Sequence, residues 1–272
     1  MNEIWKSVND VLRPESTSKT TLKIETENQT IKDQLELAEK FSSFFKEKVK
    51  KLASRIKNDK NIDPLSKLSE KLHDSKLKFK LKTFHEKHVL KILKSLKSKK
   101  SYSHDGITAE VFKLGAEVLA SPLNYIINTS ILTGKYPTNW KVAKVIPLHK
   151  KDDKKLMKNY RPISLLSVPG MALEKIVALQ IEEFFEENSI LGSFQFGFQR
   201  NENTISELLT VFDTLLEAKE LKKEIIVLLY DFSAAFDTVS HEVLLAKLKM
   251  YGFDTVSMNW MKSFLEGRKQ MF

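Results

Sequence analysis

The sequence predicts an α+β fold that is rich in helices. Three observations carry that prediction. Apolar residues recur at three- and four-residue steps through several long segments, which is the mark of amphipathic helices. Residues 142–149 and 161–167 are short β-prone stretches on either side of a charged loop, and so read as a hairpin. Ile225-Ile-Val-Leu-Leu-Tyr230 is a continuous β-prone run, suited to a strand buried on both faces. The resulting order is helices, hairpin, helices, buried strand, helices, with no internal repeat.

Taken in order, residues 1–33 are polar and weakly periodic, and read as a loose leader. In 34–57, Leu37, Phe41, Phe44, Phe45, Val49, Leu52 and Ile56 form one apolar stripe with lysines opposite. Residues 58–82 return to Asn, Asp, Pro, Ser and Lys and read as a linker. A second amphipathic helix is expected over about 85–97, through Val89, Ile92, Leu93 and Leu96. Ser101 to Gly106 forms a turn-like break. Helices follow at 108–119 and 121–133, the second opening at Pro122 and closed by Gly134 and Pro137. After the hairpin come helices at 171–187 and 204–219, the strand 225–231, and helices at about 240–250 and 255–265.

Charge is unevenly spread. Of 45 Lys+Arg and 35 Asp+Glu, residues 1–104 hold 25 and 14, so the whole excess of +10 lies in the first part of the chain. A second basic stretch, 135–161, has nine Lys/Arg against Asp152 and Asp153. Such an excess favours a polyanionic partner such as nucleic acid, or else is a solvated lysine-rich surface. There are no cysteines, which excludes disulfides, thiolate zinc sites and a Cys nucleophile and fits an intracellular setting. No apolar run approaches the ~18 residues of a membrane span. His73, His85, His88, His104, His149 and His241 are scattered, and there is no phosphate-binding glycine loop or nucleophile elbow.

Three segments are chemically suggestive. Strand 225–231 delivers Asp231 at its C-terminal end, with Asp237 six residues later. Asp231 and the backbone carbonyl of Phe232 offer hard oxygens suited to magnesium; equally, Asp231 is placed to cap the next turn. The hairpin brings Lys150, Lys151 and Arg161 near one another, either to meet phosphate or as a solvated loop. In Gln195-Phe-Gly-Phe-Gln-Arg200, Gly197 suggests a close backbone approach, or a loop with two buried phenylalanines.

These segments occur in a specific order. From about Lys99 the chain resembles the reverse transcriptases of non-LTR, jockey-like retrotransposons. The resemblance runs through His104-Asp-Gly-Ile107, Asn128 to Lys141, Ile146-Pro-Leu-His-Lys-Lys151 and Asn159-Tyr-Arg-Pro-Ile-Ser-Leu165. It continues through Leu173-Glu-Lys-Ile176, Gln195-Phe-Gly-Phe198, Asp231-Phe-Ser-Ala-Ala-Phe-Asp-Thr-Val239 and Leu265-Glu-Gly-Arg-Lys-Gln270.

The resemblance implies a truncated right-hand polymerase of helix-rich fingers plus the first strand and helices of a palm. Residues 1–83 would be a basic helical leader, 84–224 fingers and 225–272 the start of the palm. It implies RNA-directed DNA polymerase activity on an RNA template, a DNA primer and dNTPs, with Mg2+ and no membrane. It also implies an element ribonucleoprotein in nucleus or cytoplasm. Asp231, with the Phe232 carbonyl, corresponds to the first metal site. Arg161, assisted by Lys150 or Lys151, corresponds to the triphosphate contact. Phe236 corresponds to the aromatic beneath the sugar that rejects a 2′-hydroxyl. Gln195, Gly197, Phe198 and Arg200 correspond to a segment near the template.

Two positions depart from the family pattern: Gln199 stands where an arginine is usual, with Arg200 next, and Ala234 where lysine is frequent. The family's other two metal-binding aspartates sit downstream of Phe272, so the chain is expected to be inactive alone. A non-catalytic nucleic-acid binder and a helical interaction protein are the alternative readings.

Overall fold

The computed structural model describes residues 24–25, 30–56, 63–72, 76–98, 101–192, 194–200, 202–232 and 234–272. The loose-leader reading of 1–23 and the linker reading of 57–62 and 73–75 fall outside the described residues. The architecture is mixed α/β, with many helices and small sheets. It divides into two compact units.

The first unit comprises residues up to 48, 146–163 and Phe272. Strands β1 (Ile24–Glu25) and β2 (Thr30–Ile31) pair antiparallel, with Ile24 opposite Ile31. Both isoleucines are fully buried, so this part of the expected leader is packed structure. Helix α1 (Gln34–Arg55), whose residues up to Lys48 belong here, starts where Asp33 accepts the Glu36 N–H at 2.9 Å. Its stripe buries Leu37, Phe41 and Phe45 with Tyr160, and Phe44, Met157 and Phe272 pack alongside. Phe41 meets Tyr160 edge-on at 5.2 Å, and Phe45 stacks on Phe272 at 6.0 Å.

The hairpin is present as expected. Strand β3 (Val142–His149) neighbours β4 (Tyr160–Leu165), in a sheet of order β4-β3-β5 with β5 (Lys269–Met271) parallel to β3. Its loop end closes through Lys150 N–H to the Asn159 carbonyl at 2.8 Å. The Asn159 side chain donates to the Asp153 carbonyl and the Tyr160 hydroxyl to the Lys154 carbonyl. These two buried residues give the charged loop a fixed path.

The second unit comprises 49–145 and 164–271. Its helices are α2 (Ser66–Leu72), α3 (Glu86–Lys94), α4 (Ala109–Leu114), α5 (Ala116–Thr133), α6 (Val168–Glu187), α7 (Thr204–Glu220), α8 (His241–Met250) and α9 (Thr255–Leu265). Val89, Leu93, Leu123, Ile127, Leu173, Ile176 and Trp260 belong to one apolar core. Helix α6 begins three residues before the expected start, because Ser167 caps it and Pro169 suits its first turn. Pro122 does not open a helix: α5 starts at Ala116 and runs through it. The proline and Val118, whose carbonyl it leaves without an in-helix donor, are both exposed, which places the interruption on the solvent side of the helix.

Trp260 is the largest fully buried side chain. Its Nε1–H donates to Ser130 Oγ at 3.0 Å, and its ring stacks on Phe264 at 5.5 Å. Trp260→Ala is expected to cost about 3–5 kcal/mol in urea unfolding, by loss of transfer energy and opening of a cavity.

Residues 76–82, read as linker, are instead a strap across this core. Phe79 and Leu81 are buried. The Phe79 N–H donates to the Gly252 carbonyl, and its own carbonyl accepts from Asp254 N–H, each at 2.9 Å. Leu81 N–H reaches Ser257 Oγ at 2.9 Å. The Gln180 amide grips both backbone groups of Lys82 at 2.8 and 3.0 Å, and the Asn128 amide grips both of Phe84 at 2.8 and 2.9 Å. An extended segment without a sheet must find such partners when it is buried, and side-chain amides reproduce the peptide's donor and acceptor.

The largest departure from expectation is 225–231. The run forms no strand, and every residue in it is exposed, Leu229 at 92%. Continuous apolar β-prone sequence encodes burial between two neighbours. Among the described residues no strand pairs with it, so the ladder and both covering faces are missing. Helix α7, just before it, likewise buries no residue and presents Ile205, Leu208, Leu209 and Phe212 to solvent. Apolar surface of this extent marks a contact face.

Candidate nucleic-acid interface

The first group of expected site residues lies on the hairpin of the first unit. Lys150, Lys151 and Arg161 are exposed, on the two sides of the loop closed by Lys150 N–H and Asn159. Lys151 lies 4.0 Å from Asp152, and Lys155 is ion-paired to Glu25 at 2.5 Å. The hydrogen bond and charge of Glu25 raise the Lys155 pKa and leave it firmly cationic. Lys150, Lys154, Lys158 and Arg161 have no carboxylate partner among the described residues. The fixed loop thus carries a set of unneutralised cations, a geometry suited to phosphate oxygens.

The other groups lie in the second unit. Residues 194–200 cross the C-terminal half of α6. Arg200 Nε is 3.3 Å from Glu182 and its Nη1 is 3.9 Å from Glu186. The Gln199 side chain donates to the Gln195 carbonyl, and Gln195 to the Gly197 carbonyl at 3.4 Å. Ile181, Phe185, Leu191 and Phe198 line a half-open cleft of about 360 Å³ with Glu182 and Arg200 at its edge. Phe198 is not a buried loop residue: it is 88% exposed and takes a left-handed backbone, φ 62°. Arg200 is engaged by carboxylates here, which a reading of its sequence neighbours does not reveal.

Asp231 and Phe232 follow the unpaired run and are exposed. Among the described residues no hydrogen bond from the next turn to the Asp231 side chain is present. That turn, 235–238, is instead closed by Asp237 N–H to the Ala234 carbonyl at 3.0 Å, with Ala234 itself left-handed at φ 53°. Phe236 sits on the turn, 80% exposed, and meets the Phe198 ring edge-on at 5.9 Å and 88°. Two segments 38 positions apart in sequence are therefore joined through an aromatic pair. As for magnesium, the Asp231 carboxylate and Phe232 carbonyl are suitable hard donors. Among the described residues, however, no group of three or more His, Cys, Asp or Glu is placed to hold a metal. The donor chemistry fits one ion completed by water and phosphate, but not a two-metal set.

Sequence reasoning missed one polar cluster. Glu174 Oε1 accepts from the Tyr136 hydroxyl at 2.9 Å and from Arg268 Nη2 at 3.1 Å. Arg268 lies over the Phe264 ring at 4.6 Å. Burial, and then the Glu174 charge, push the Tyr136 pKa well up, so its hydroxyl stays a donor. The cluster anchors the chain where it leaves α9 for β5. Glu174 and Arg268 both stand in the motif series, but nothing in their spacing links them.

A family model, reverse transcriptase (RNA-dependent DNA polymerase), matches residues 148–272, which include every expected site residue. The probable RNA-directed DNA polymerase from transposon BS of Drosophila melanogaster is 29% identical over 192 residues, covering 70% of this chain and 21% of the relative. The RNA-directed DNA polymerase from mobile element jockey of the same species is 30% identical over 181 residues, 66% of this chain and 20% of the relative. The probable RNA-directed DNA polymerase from transposon X-element is 26% identical over 234 residues, 86% of this chain and 24% of the relative. That last coverage cannot be met without residues upstream of Lys99. The chain spans about a fifth to a quarter of the length of these curated relatives. Similarity on this scale, joined to the ordered motifs, identifies residues 148–272 as similar to a reverse transcriptase domain, and the chain as similar to the polymerases of jockey-like non-LTR retrotransposons.

Proposed function

We propose that the chain is the fingers (84–224) and first palm segment (225–272) of a right-hand RNA-directed DNA polymerase, preceded by a basic leader (1–83). Its partners are an RNA template, a DNA primer and dNTPs, handled within an element ribonucleoprotein. The observation that carries the reading is the rigid hairpin loop, inside the family match, with Lys150, Lys154, Lys158 and Arg161 unneutralised. Arg161, with Lys150 or Lys151, receives the triphosphate of the incoming nucleotide. Asp231 and the Phe232 carbonyl supply the first magnesium ligands, Phe236 faces the sugar, and Gln195, Gly197, Phe198 and Arg200 lie towards the template.

Nucleotidyl transfer in this family rests on two divalent ions and three aspartates, so chemistry is positioning plus electrostatics. Of those aspartates this reading assigns Asp231, and the expected result for the chain by itself is no primer extension. What it does supply is cationic surface.

Nucleic-acid binding is the test. Four neutralised phosphates on a single strand give a slope near −3 in log K against log salt, so affinity falls roughly 50-fold between 50 and 200 mM. Fluorescence anisotropy with a labelled single-stranded RNA reads this directly. Replacing Lys150, Lys154, Lys158 and Arg161 with alanine flattens the slope. A slope unchanged by that replacement, or binding indifferent to salt, contradicts the proposal.

A further inference from the structure

We infer that Phe198 is the residue that positions the Phe236 ring, and so sets how strictly the nucleotide site separates deoxyribose from ribose. The inference rests on the reading of Phe236 proposed above. Three observations carry it.

First, the Phe198 ring is the one ring contact that Phe236 makes among the described residues, edge-on at 5.9 Å and 88°. The backbone under Phe236 is fixed locally by Asp237 N–H and by the Thr238 hydroxyl on the Ala234 and Ala235 carbonyls. Its ring has no such local constraint. Rejecting one hydroxyl requires the blocking ring to be held within about half an ångström of its working place.

Second, Phe198 is itself held. Its loop is tied to α6 by Arg200 on Glu182 and Glu186, and internally by Gln195 and Gln199. The inner side of the loop lines the cleft against Ile181 and Phe185. A left-handed phenylalanine that is also exposed wastes both conformation and apolar surface unless the ring has a task outside the core. Here its task is the Phe236 contact.

Third, the arrangement gives Arg200 a role that does not require it to touch nucleic acid. It anchors the segment from which Phe198 projects. A phosphate strong enough to draw Arg200 off the glutamates would release Phe198 and loosen Phe236 in turn.

The test uses the full chain with magnesium and two probes that differ only in the 2′-hydroxyl, dCTP and CTP, measured by equilibrium dialysis. The readout is the ratio of their dissociation constants, which a general loss of structure does not move selectively. Phe198→Ala is expected to reduce the preference for dCTP roughly two- to tenfold, the worth of one aromatic pair. Phe198→Tyr keeps the ring edge and is expected to retain the preference. Phe236→Ala abolishes it. Both phenylalanines are exposed, so unfolding midpoints should not change.

If Phe236→Ala relaxes the ratio and Phe198→Ala leaves it intact, the inference is overturned while the reading of Phe236 stands. If Phe236→Ala leaves the ratio intact, or the chain binds neither nucleotide, the reading of the site itself fails and takes the inference with it.

Discussion

Gly252→Ala is expected to destabilise the second unit by on the order of 3–5 kcal/mol, the largest effect among the glycine-to-alanine substitutions of this chain. Gly252 has φ +81°, a conformation that L side chains rarely adopt. A Cβ built there stands 1.9 Å from the Leu77 carbonyl oxygen and 2.5 Å from its carbon. Both are backbone atoms of the strap, so no side-chain rotation relieves the overlap. The strap would have to lift, and lifting it breaks the hydrogen bonds between Phe79 and Gly252 and between Asp254 and Phe79. Gly106 is the internal control. It has φ +72° but nothing within 4 Å of the added methyl, so Gly106→Ala carries the conformational cost alone, about 1 kcal/mol. Urea unfolding of the two variants separates strain from collision. Equal losses would mean that the strap does not press on Gly252.

The strap also shows where sequence reading reaches its limit. The helices were legible because three- and four-residue apolar spacing is a local signal. The hairpin was legible because β-prone stretches flank a charged loop. The strap was legible only in part. Its lysines alternate with Leu77, Phe79 and Leu81, a period-two pattern that the linker reading passed over, but its partners Asn128, Gln180 and Ser257 lie 44, 98 and 176 positions away. No local pattern records that an amide on one helix substitutes for a neighbouring strand.

The run 225–231 failed for the opposite reason. Its apolar pattern is a strong local signal, but what it encodes is burial between two partners. Those partners are not among the described residues, and the segment lies open with α7 beside it in sequence. The candidate site divides the same way. Cations on the hairpin could be read from residue type and a turn. The capture of Arg200 by Glu182 and Glu186, and the joining of Phe198 to Phe236, depend on tertiary placement and could not.

Asp231→Ala is expected to have the largest effect on activity. A carboxylate that holds a catalytic metal acts on developing charge at the transition state, and its loss costs roughly three or more orders of magnitude in rate. Among the described residues no group of three or more His, Cys, Asp or Glu is placed to hold a metal, so the effect must be read where the remaining ligands are supplied. The jockey polymerase, 30% identical over 181 residues, provides that setting. The direct measurement is RNA-templated primer extension by the jockey polymerase carrying this chain's residues in place of the matched segment. The account predicts extension with magnesium and dNTPs that falls at least about a thousandfold with Asp231→Ala. A folded hybrid that extends equally well with alanine at that position, or does not extend at all, would contradict it.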